Sequence, residues 1–324
     1  MKKRILSIAI IFTLLLSFTG CANSSNKTKE TVNIASMKGP TSIGLAKLYN
    51  DSDSDLTTIK YNYNIYGAAD EITAGLSKGE LDIAAVPCNL ASVLYNKTEG
   101  EILIAGINTL GVLYVVTKNC DINSVSDLKG KTIFSTGQGT TPEYSFNYIV
   151  SENGLDPEKD MTVQYFSEAT EIAAAFASMD EVVAVLPEPF VTSVLNSNPD
   201  AKVALSLTDE WEDINYESAF VTGVIVVRKE FADNNPQVVN DFLAEYKVSV
   251  EFANKNVEGC ATLLEEFDIM KAAVAKKAIP NCNVVLITGK EMKEKVTSYL
   301  EVLYAANPQS VGGKLPDQTI FYNK

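Results

Sequence analysis

Short strand-like runs alternate with longer helical patterns along most of this chain from Thr31 onward. Residues 32–36 form a predicted strand, and residues 41–49 follow with the spacing of a helix. Residues 81–86 are a continuous apolar run that ends at Pro87, which suits a strand buried on both faces. Because strands that alternate with helices build βαβ units, the pattern predicts an α/β fold with largely parallel sheets.

The strand–helix pattern occurs twice, and the two occurrences share landmarks. Gly39 precedes Pro87 by 48 positions, and Gly139 precedes Pro187 by the same 48 positions. In each unit a loop of glycine and hydroxyl residues follows the first strand, and a proline closes a later strand. This favours two lobes of similar topology, with chance similarity between two α/β segments as the alternative.

The first thirty residues carry an export pattern rather than part of a fold. Three basic residues precede an apolar run of 14 residues at 5–18, which is too short to span a bilayer core. Small residues then lead into Cys21, as is typical of a lipoprotein signal. We expect residues 1–20 to be a cleaved signal peptide, Cys21 to carry lipid, and residues 21–30 to be a flexible tether. The protein would then be anchored on the outer face of the cell membrane. An ordinary secretory signal is the alternative.

The sequence contains no histidine, which excludes Ser-His-Asp and Cys-His catalytic pairs and His-based zinc sites. The cysteines after Cys21 have spacings that match no metal motif. We expect mainly free thiols, with a Cys260–Cys282 disulfide as the alternative. The net charge of −14 argues against a nucleic-acid partner. We therefore expect neither catalysis nor a metal or cofactor.

Two loops supply most of the candidate ligand-binding residues. Both place glycine, proline and hydroxyl side chains directly before a predicted helix. Helix N-termini leave backbone N–H groups unpaired and carry partial positive charge, so they bind carboxylate, sulfonate or phosphate groups. We expect the loops to face each other across a cleft and to hold an anionic or zwitterionic solute; for either loop alone, simple helix capping is the alternative. The first loop consists of Lys38, Gly39, Pro40 and Thr41, and the second of Gly137, Gln138, Gly139, Thr140 and Thr141.

Further candidates follow the two proline-closed strands. Glu188 and Phe190 lie next to two prolines whose fixed φ angles would direct these side chains. Glu188 is expected to contact the ligand or the opposite lobe, or else to cap the next helix. After Pro87, Cys88 is a further candidate and Asn89 is a polar contact or an N-cap. The aromatic residues Tyr66, Phe190 and Trp211 could contact an aromatic part of the ligand, and Gly67, next to Tyr66, completes the candidate set.

Several longer stretches carry a family resemblance over nearly the whole mature chain. They comprise residues 38–41, 81–87, 89–91, 125–131, 136–139, 153–160, 186–189 and 311–316. In these stretches the sequence resembles the solute-binding lipoproteins of bacterial ABC importers, in particular the group that serves nitrate, sulfonate, taurine and thiamine precursors.

The resemblance implies a bilobal periplasmic-binding-protein fold of type II, in which two α/β lobes are joined by two crossover strands. Lobe 1 would comprise residues 31–116 plus 222–324, and lobe 2 residues 117–221. It also implies that a small-molecule solute is held between the lobes of a monomer, which then docks on an ABC permease driven by a separate ATPase subunit. A surface sensor or adhesin with this fold, and an enzyme resembling a thiamine-precursor synthase, are the alternatives.

Overall fold

Two β-sheets covered by helices make up the part of the chain that the computed structural model describes, residues 29–215 and 218–323. The strands are β1 (Thr31–Met37), β2 (Lys60–Tyr66), β3 (Ile83–Pro87), β4 (Ile102–Leu110), β5 (Leu113–Lys118), β6 (Thr132–Thr136), β7 (Thr162–Phe166), β8 (Val182–Pro187), β9 (Ala201–Ser206), β10 (Val221–Arg228) and β11 (Val284–Ile287). The helices are α1 (Pro40–Ile43), α2 (Ala46–Asp53), α3 (Ala69–Lys78), α4 (Cys88–Lys97), α5 (Thr141–Glu152), α6 (Ala169–Ser178), α7 (Phe190–Ser197), α8 (Leu207–Ile214), α9 (Lys229–Asn234), α10 (Pro236–Lys255), α11 (Val257–Glu266), α12 (Ala272–Ala278) and α13 (Gly289–Ala306). Within these described residues, no helix combines the length and the apolar character that crossing a membrane requires.

The two sheets share one strand pattern. The first sheet has the order β11-β4-β10-β3-β1-β2, and β1 pairs in parallel with β2 and β3. The second has the order β7-β6-β8-β5-β9, and β6 pairs in parallel with β7 and β8. In each sheet an antiparallel strand lies beside the third parallel strand: β10 lies between β3 and β4, and β5 between β8 and β9. The first sheet has β11 in addition, which pairs antiparallel with β4 at its edge. This is the predicted arrangement of two α/β lobes of similar topology.

The strand pairing refines the expected limits of the lobes. The expected boundary after residue 116 falls inside β5, whose whole length pairs with strands of the second sheet. The change of sheet lies instead at Gly111 and Val112, the two residues between β4 and β5. The return to the first sheet comes at Val221, where β10 begins, one residue before the expected position. We propose that the chain divides into lobes at these two crossings. The terms first lobe and second lobe refer below to the parts that contain the first and the second sheet.

The apolar core explains why the two lobes are not independent. One cluster lies on the first sheet, beneath helices such as α10, and includes Ile34 and Phe242. A second cluster covers the other face of the first sheet and continues into the second lobe, where it includes Phe146 and Trp211. Because burial of apolar surface stabilises a fold by about 25 cal/mol per Å², a shared core holds the lobes together at this side.

One local expectation requires correction. The helix expected over residues 41–49 is broken into α1 and α2 at Gly44 and Leu45. Tyr246 of α10 approaches Gly44 so closely that a Cβ there would lie 2.7 Å from the Tyr246 hydroxyl, so glycine fits best at this position. Within the expected tether, Lys29 pairs with Asp55 on the first lobe at 2.6 Å. The expected signal peptide and Cys21 lie outside the described residues.

Candidate functional site

Two equivalent strands, β3 and β8, end next to the segments that connect the lobes. Pro87, the last residue of β3, is paired with Gly223 of β10. In the second lobe Pro187, the last residue of β8, is paired with Leu113 of β5. Residues that follow these strands therefore lie at the junction of the two lobes, where open α/β sheets place their ligands.

A hydrogen bond crosses this junction between two of the predicted site residues. The Thr141 hydroxyl donates to Oδ1 of Asn89 over 3.1 Å. Asn89 lies in the first turn of α4 and Thr141 is the first residue of α5, and their exposed fractions are only 1% and 2%. The Asn89 amide nitrogen also donates to the carbonyl of Ser310 over 3.0 Å, which fixes its orientation. The N-termini of two helices from different lobes are thus brought together at Asn89 and Thr141. That the second loop faces the loop of residues 38–41 across a cleft stays a prediction.

These two helix starts are uncapped by side chains. Neither the N-cap of α4, Pro87, nor that of α5, Thr140, makes a side-chain capping bond. The neighbouring starts in the second lobe are different: Glu168 forms a capping box on α6, and Glu188 accepts from the Thr192 N–H of α7 over 3.1 Å. Of the four helices α4 to α7, therefore, α4 and α5 leave first-turn N–H groups without a side-chain acceptor. Such groups bind anions.

The first predicted loop lies beside the start of α4. A methyl group of Thr41 lies against Gly223, the residue that pairs with Pro87. Gly39 has a φ of 134°, which favours glycine, and Pro40 begins α1. Thus Thr41, Gly223 and Pro87 lie next to one another on this side of the junction.

Lys38 directs its charge away from the buried contact. Its Nζ lies 2.8 Å from Oδ2 of Asp268, and both side chains are exposed. This partner lowers the pKa of the Asp268 carboxyl from its ordinary value. Exposed ion pairs of this kind contribute little to stability, and the ligand-binding role of Lys38 stays a prediction.

The second loop is partly satisfied by its own residues. The Gly139 N–H donates to Oε2 of Glu143 over 2.5 Å, and the Thr140 hydroxyl donates to the Gly137 carbonyl over 2.7 Å. Gln138 and Gly139 are exposed. These bonds satisfy groups within the loop of Gly137 to Thr140 without capping α5, and Thr141 is the member of the loop that reaches the buried junction.

Glu188 combines two of its three expected roles. Only 3% of the residue is exposed, and its carboxylate accepts from the N–H and the hydroxyl of Thr192, which caps α7. Burial raises the pKa of Glu188, while Thr192 and the amide of Asn281 from the first lobe oppose the rise. The residue is thus a helix cap that also meets the opposite lobe.

Of the other candidates, Cys88 is buried at the start of α4, and burial raises the pKa of its thiol. Gly67 is exposed, whereas Tyr66 and Phe190 are half-buried and pack against core clusters. Trp211 does not line the junction: it is fully buried, stacks on Phe220 at 5.2 Å, and donates its N–H to the Ser218 carbonyl. The expectation for Trp211 was wrong because the acidic residues around it are outside, while the indole faces the core.

Sequence reasoning missed three polar residues near the junction. Asn108, near the end of β4, donates to the Thr41 carbonyl over 3.1 Å. Tyr299 of α13 and Ser145 of α5 place their hydroxyls 3.0 Å apart across the lobes. Polar Asn108 within the otherwise apolar run of β4 was a usable signal, but nothing in the sequence marks the Tyr299 contact.

The described part of the chain holds no group of three or more Cys, Asp or Glu side chains placed to bind a metal ion. Its four cysteines, Cys88, Cys120, Cys260 and Cys282, are free and buried.

Similar proteins were found among curated sequences and among solved structures. A binding protein of Bacillus subtilis strain 168, YtlA, is 25% identical over 90% of this chain and 98% of its own length. An ABC transporter structure from Parabacteroides distasonis aligns with a TM-score of 0.75 at 24% identity, over 91% of this chain and 100% of that one. The periplasmic aliphatic sulphonate binding protein SsuA of Escherichia coli aligns with a TM-score of 0.72 at 16% identity, over 91% and 93%. These structural likenesses confirm the predicted bilobal type II fold.

The profile of one protein family matches residues 54–278, which is more than half of the chain. This family is described as "ABC transporter, phosphonate, periplasmic substrate-binding protein". The predicted membership of the ABC importer binding proteins is thereby confirmed, and the chain belongs to the phosphonate family of periplasmic substrate-binding proteins of ABC transporters.

Proposed function

We propose that this ABC transporter binding protein captures a small organic solute by an oxyanion group, held between the starts of α4 and α5. The solute is anionic or zwitterionic. The observation that carries the proposal is the buried Asn89–Thr141 hydrogen bond, which brings two uncapped helix N-termini from opposite lobes together.

The preference for an anion follows from what surrounds these helix starts. The first-turn N–H groups of α4 and α5 are donors, and the Thr141 hydroxyl is a further donor. The starts of α6 and α7 are already occupied by carboxylates of the protein, so they offer no equivalent place. A phosphonate, sulfonate or carboxylate head supplies the acceptors that the α4 and α5 starts need. The phosphonate in the family description and the sulphonate in the name of the Escherichia coli protein belong to this chemical class.

Binding between lobes couples the solute to a hinge motion. Residues 111–112 and the segment before β10 are the two connections about which the lobes can rotate. An oxyanion that enters between α4 and α5 exchanges the Asn89–Thr141 bond for bonds to both helix starts. The solute then stabilises one relative position of the lobes, which the permease recognises. The chain itself carries out no reaction, and a separate ATPase subunit supplies the energy for transport.

We propose further that lipid on Cys21 anchors the monomeric protein outside the cell membrane. Membrane attachment by lipid needs no basic surface, which agrees with the net charge of −14. Mass spectrometry of the protein extracted from membranes should show a diacylglyceryl adduct at Cys21. In a Cys21→Ser variant the protein should appear in the soluble extracytoplasmic fraction; retention in the membrane would contradict lipidation.

The ligand class is tested by isothermal titration and thermal shift with alkylphosphonates, alkanesulfonates, nitrate, carboxylates, zwitterionic aminophosphonates, neutral sugars and amines. Native mass spectrometry of the purified protein complements this panel by identifying what co-purifies. We expect one oxyanion-bearing class to bind and to raise Tm. Binding of neutral sugars or amines alone, or of no compound in the panel, would contradict the proposal.

Substitutions then locate the site. Thr141→Leu and Thr41→Leu place bulk at the junction and should abolish binding while the protein stays folded. Thr262→Leu on α11 is the matched control, because Thr262 is exposed and donates to the Glu258 carbonyl within its own helix. Unchanged affinity in the Thr141 and Thr41 variants would place the ligand elsewhere.

A further inference from the structure

We propose that Asn108 is a positioning residue, which holds the loop of residues 38–41 in its ligand-binding position from beneath. The inference rests on the proposed function, because it assigns a cause to the geometry of that same site. Asn108 was not among the residues expected to bind ligand. It acts through the backbone of Thr41 and need not touch the solute.

The loop needs such support because α1 cannot hold its own shape. A helix of four residues, Pro40–Ile43, has too few internal hydrogen bonds to offset the cost of ordering it. Some of its carbonyl groups, such as that of Thr41, have no following turn to accept from, so they need partners from elsewhere. The Asn108 Nδ2 supplies one of these partners by donating to the Thr41 carbonyl over 3.1 Å. Ser42 anchors the other side, since its hydroxyl lies 2.5 Å from the carbonyl of Met37.

Asn108 is rigidly placed for this task. Only 1% of the residue is exposed, and it lies near the end of β4, a central strand of the first sheet. The hydroxyl of Tyr246 lies on the other side of the same turn, against Gly44. The segment from Thr41 to Gly44 therefore rests on two buried polar side chains from separate elements, β4 and α10.

Gly223 lies between Asn108, the Thr41 loop and the start of α4. A Cβ at position 223 would lie 2.5 Å from Oδ1 of Asn108 and 3.0 Å from the Thr41 methyl group. No larger residue fits unless both side chains move. Since Gly223 also pairs with Pro87, the N-cap of α4, one glycine brings Asn108, Thr41 and the helix start into contact.

The arrangement also ties the loop to the hinge. Gly223 is the third residue of β10, immediately after the chain has returned from the second lobe. The Thr222 hydroxyl, next to it, donates to the Leu110 carbonyl over 2.5 Å at the other crossing. Gly223, Asn108 and Thr41 therefore lie together beside both crossings between the lobes.

The variants are chosen to separate the hydrogen bond from packing. Asn108→Ala removes the side chain, and Asn108→Asp keeps its volume but replaces the donor with a carboxylate. Gly223→Ala displaces Asn108 sterically, and the double variant with Asn108→Ala tests whether both changes act through one contact. Asn198→Ala is the matched control, because Asn198 is also buried and donates to one backbone carbonyl, that of Val194, but lies past the end of α7.

Two readouts are needed. The first is hydrogen exchange of residues 39–45 in the protein without added solute, which reports loop order independently of any ligand. The second is the Kd for ethylphosphonate as the probe. We expect faster exchange at residues 39–45 in the Asn108 and Gly223 variants and a Kd about tenfold higher, as for loss of one buried hydrogen bond. The double variant should bind no more weakly than the weaker single variant, and Asn198→Ala should change neither readout.

The outcomes distinguish the two proposals. Unchanged exchange at residues 39–45 in Asn108→Ala and Asn108→Asp would overturn the positioning role. If the wild-type protein binds ethylphosphonate, an unchanged Kd in the two Asn108 variants would also overturn the positioning role. If the wild type binds no oxyanion at all, the proposed function fails, while faster exchange in the Asn108 variants would still support Asn108 as the residue that orders the loop.

Discussion

Tyr299 and Ser145 place their hydroxyls 3.0 Å apart, and both residues are fully buried. Tyr299 belongs to α13 of the first lobe and Ser145 to α5 of the second, so the pair links the lobes within their shared core. Burial raises the pKa of the Tyr299 phenol, and the hydroxyls of Ser145 and Thr141 oppose that rise. A polar contact surrounded by apolar side chains thus fixes α13 against the helix that begins at Thr141.

Removing either hydroxyl of this pair should destabilise the protein. Tyr299→Phe and Ser145→Ala each leave one buried hydroxyl without its partner, which costs about 1–2 kcal/mol of unfolding free energy. The double variant should be no less stable than the worse single variant, because the remaining penalty is removed with the second hydroxyl. Urea unfolding of the four proteins measures this. Losses that add fully would show that the two hydroxyls do not interact.

Replacing Glu188 should change how stability depends on pH. The folded protein raises the pKa of Glu188 above its ordinary value of 4.5, so the folded state binds the proton more tightly than the unfolded state. The stabilisation from that proton is complete below pH 4.5 and is lost as pH rises through the folded pKa. A Glu188→Gln variant stays neutral, so its Tm relative to wild type should increase from acidic to neutral pH.

The control for this experiment is Glu212→Gln, which changes an exposed carboxylate on α8. The Tm difference of Glu188→Gln from wild type should rise with pH more than that of this control. A Glu188→Gln difference that rises no more than the control's, or that falls as pH rises, would contradict the assigned effect of burial.

Trp211 should report movement of the lobes. It is the only tryptophan in the sequence, and its ring lies 5.3 Å from Tyr299 of the first lobe and 4.9 Å from Tyr148 of the second. A rotation of the lobes changes these distances, so a solute that shifts the lobes should change the emission of Trp211. Fluorescence titration checks this, and Trp211→Phe should abolish the signal. Emission that stays constant at saturation, as established by calorimetry, would mean that binding leaves this contact unchanged.

The thiols should be unreactive in the folded protein. Burial raises the pKa of Cys88 and Cys282, and raises that of Cys260 to about 12, which keeps these groups protonated and shielded. In a Cys21→Ser variant, a thiol reagent should detect four thiols after denaturation and almost none before. Two thiols after denaturation would indicate that Cys260 and Cys282 form a disulfide in the exported protein.

The order of strands and helices was predictable because hydrophobic periodicity is a local property. The strand expected at residues 32–36 lies within β1, and the strand expected at residues 81–86 overlaps β3. The strand β9, at the edge of the second sheet, was missed because its alternation of apolar and polar residues is weak. Of its six residues, three are partly buried, two are exposed and one is buried. The break at Gly44 was missed because an isolated glycine is tolerated within a helical pattern and does not by itself mark a break.

The same distinction applies to the site. Asn89 and Thr141 were among the predicted ligand-binding residues because each lies at the start of a helix that comes after a strand, whereas the hydrogen bond between them was not predicted. The contact from Asn108 to Thr41 spans 67 positions, and that from Ser145 to Tyr299 spans 154. Contacts of that kind leave no periodic mark in a single sequence. The sequence could not decide between the alternative roles of Glu188. A carboxylate at this position suits both a cap of the next helix and a contact with the other lobe.

The placement of β10 between β3 and β4 has a consequence for how the protein is made. All strands of the second sheet lie within residues 113–206, so they can pair as soon as that stretch is available. In the first sheet, β3 and β4 do not pair with each other. Both pair with β10, so they are linked only once residues 221–228 are available. Because pairing of distant segments is slow, the middle of the chain should fold before its beginning. During export, the apolar strands β3 and β4 must therefore be kept from aggregating until the chain beyond residue 220 has followed.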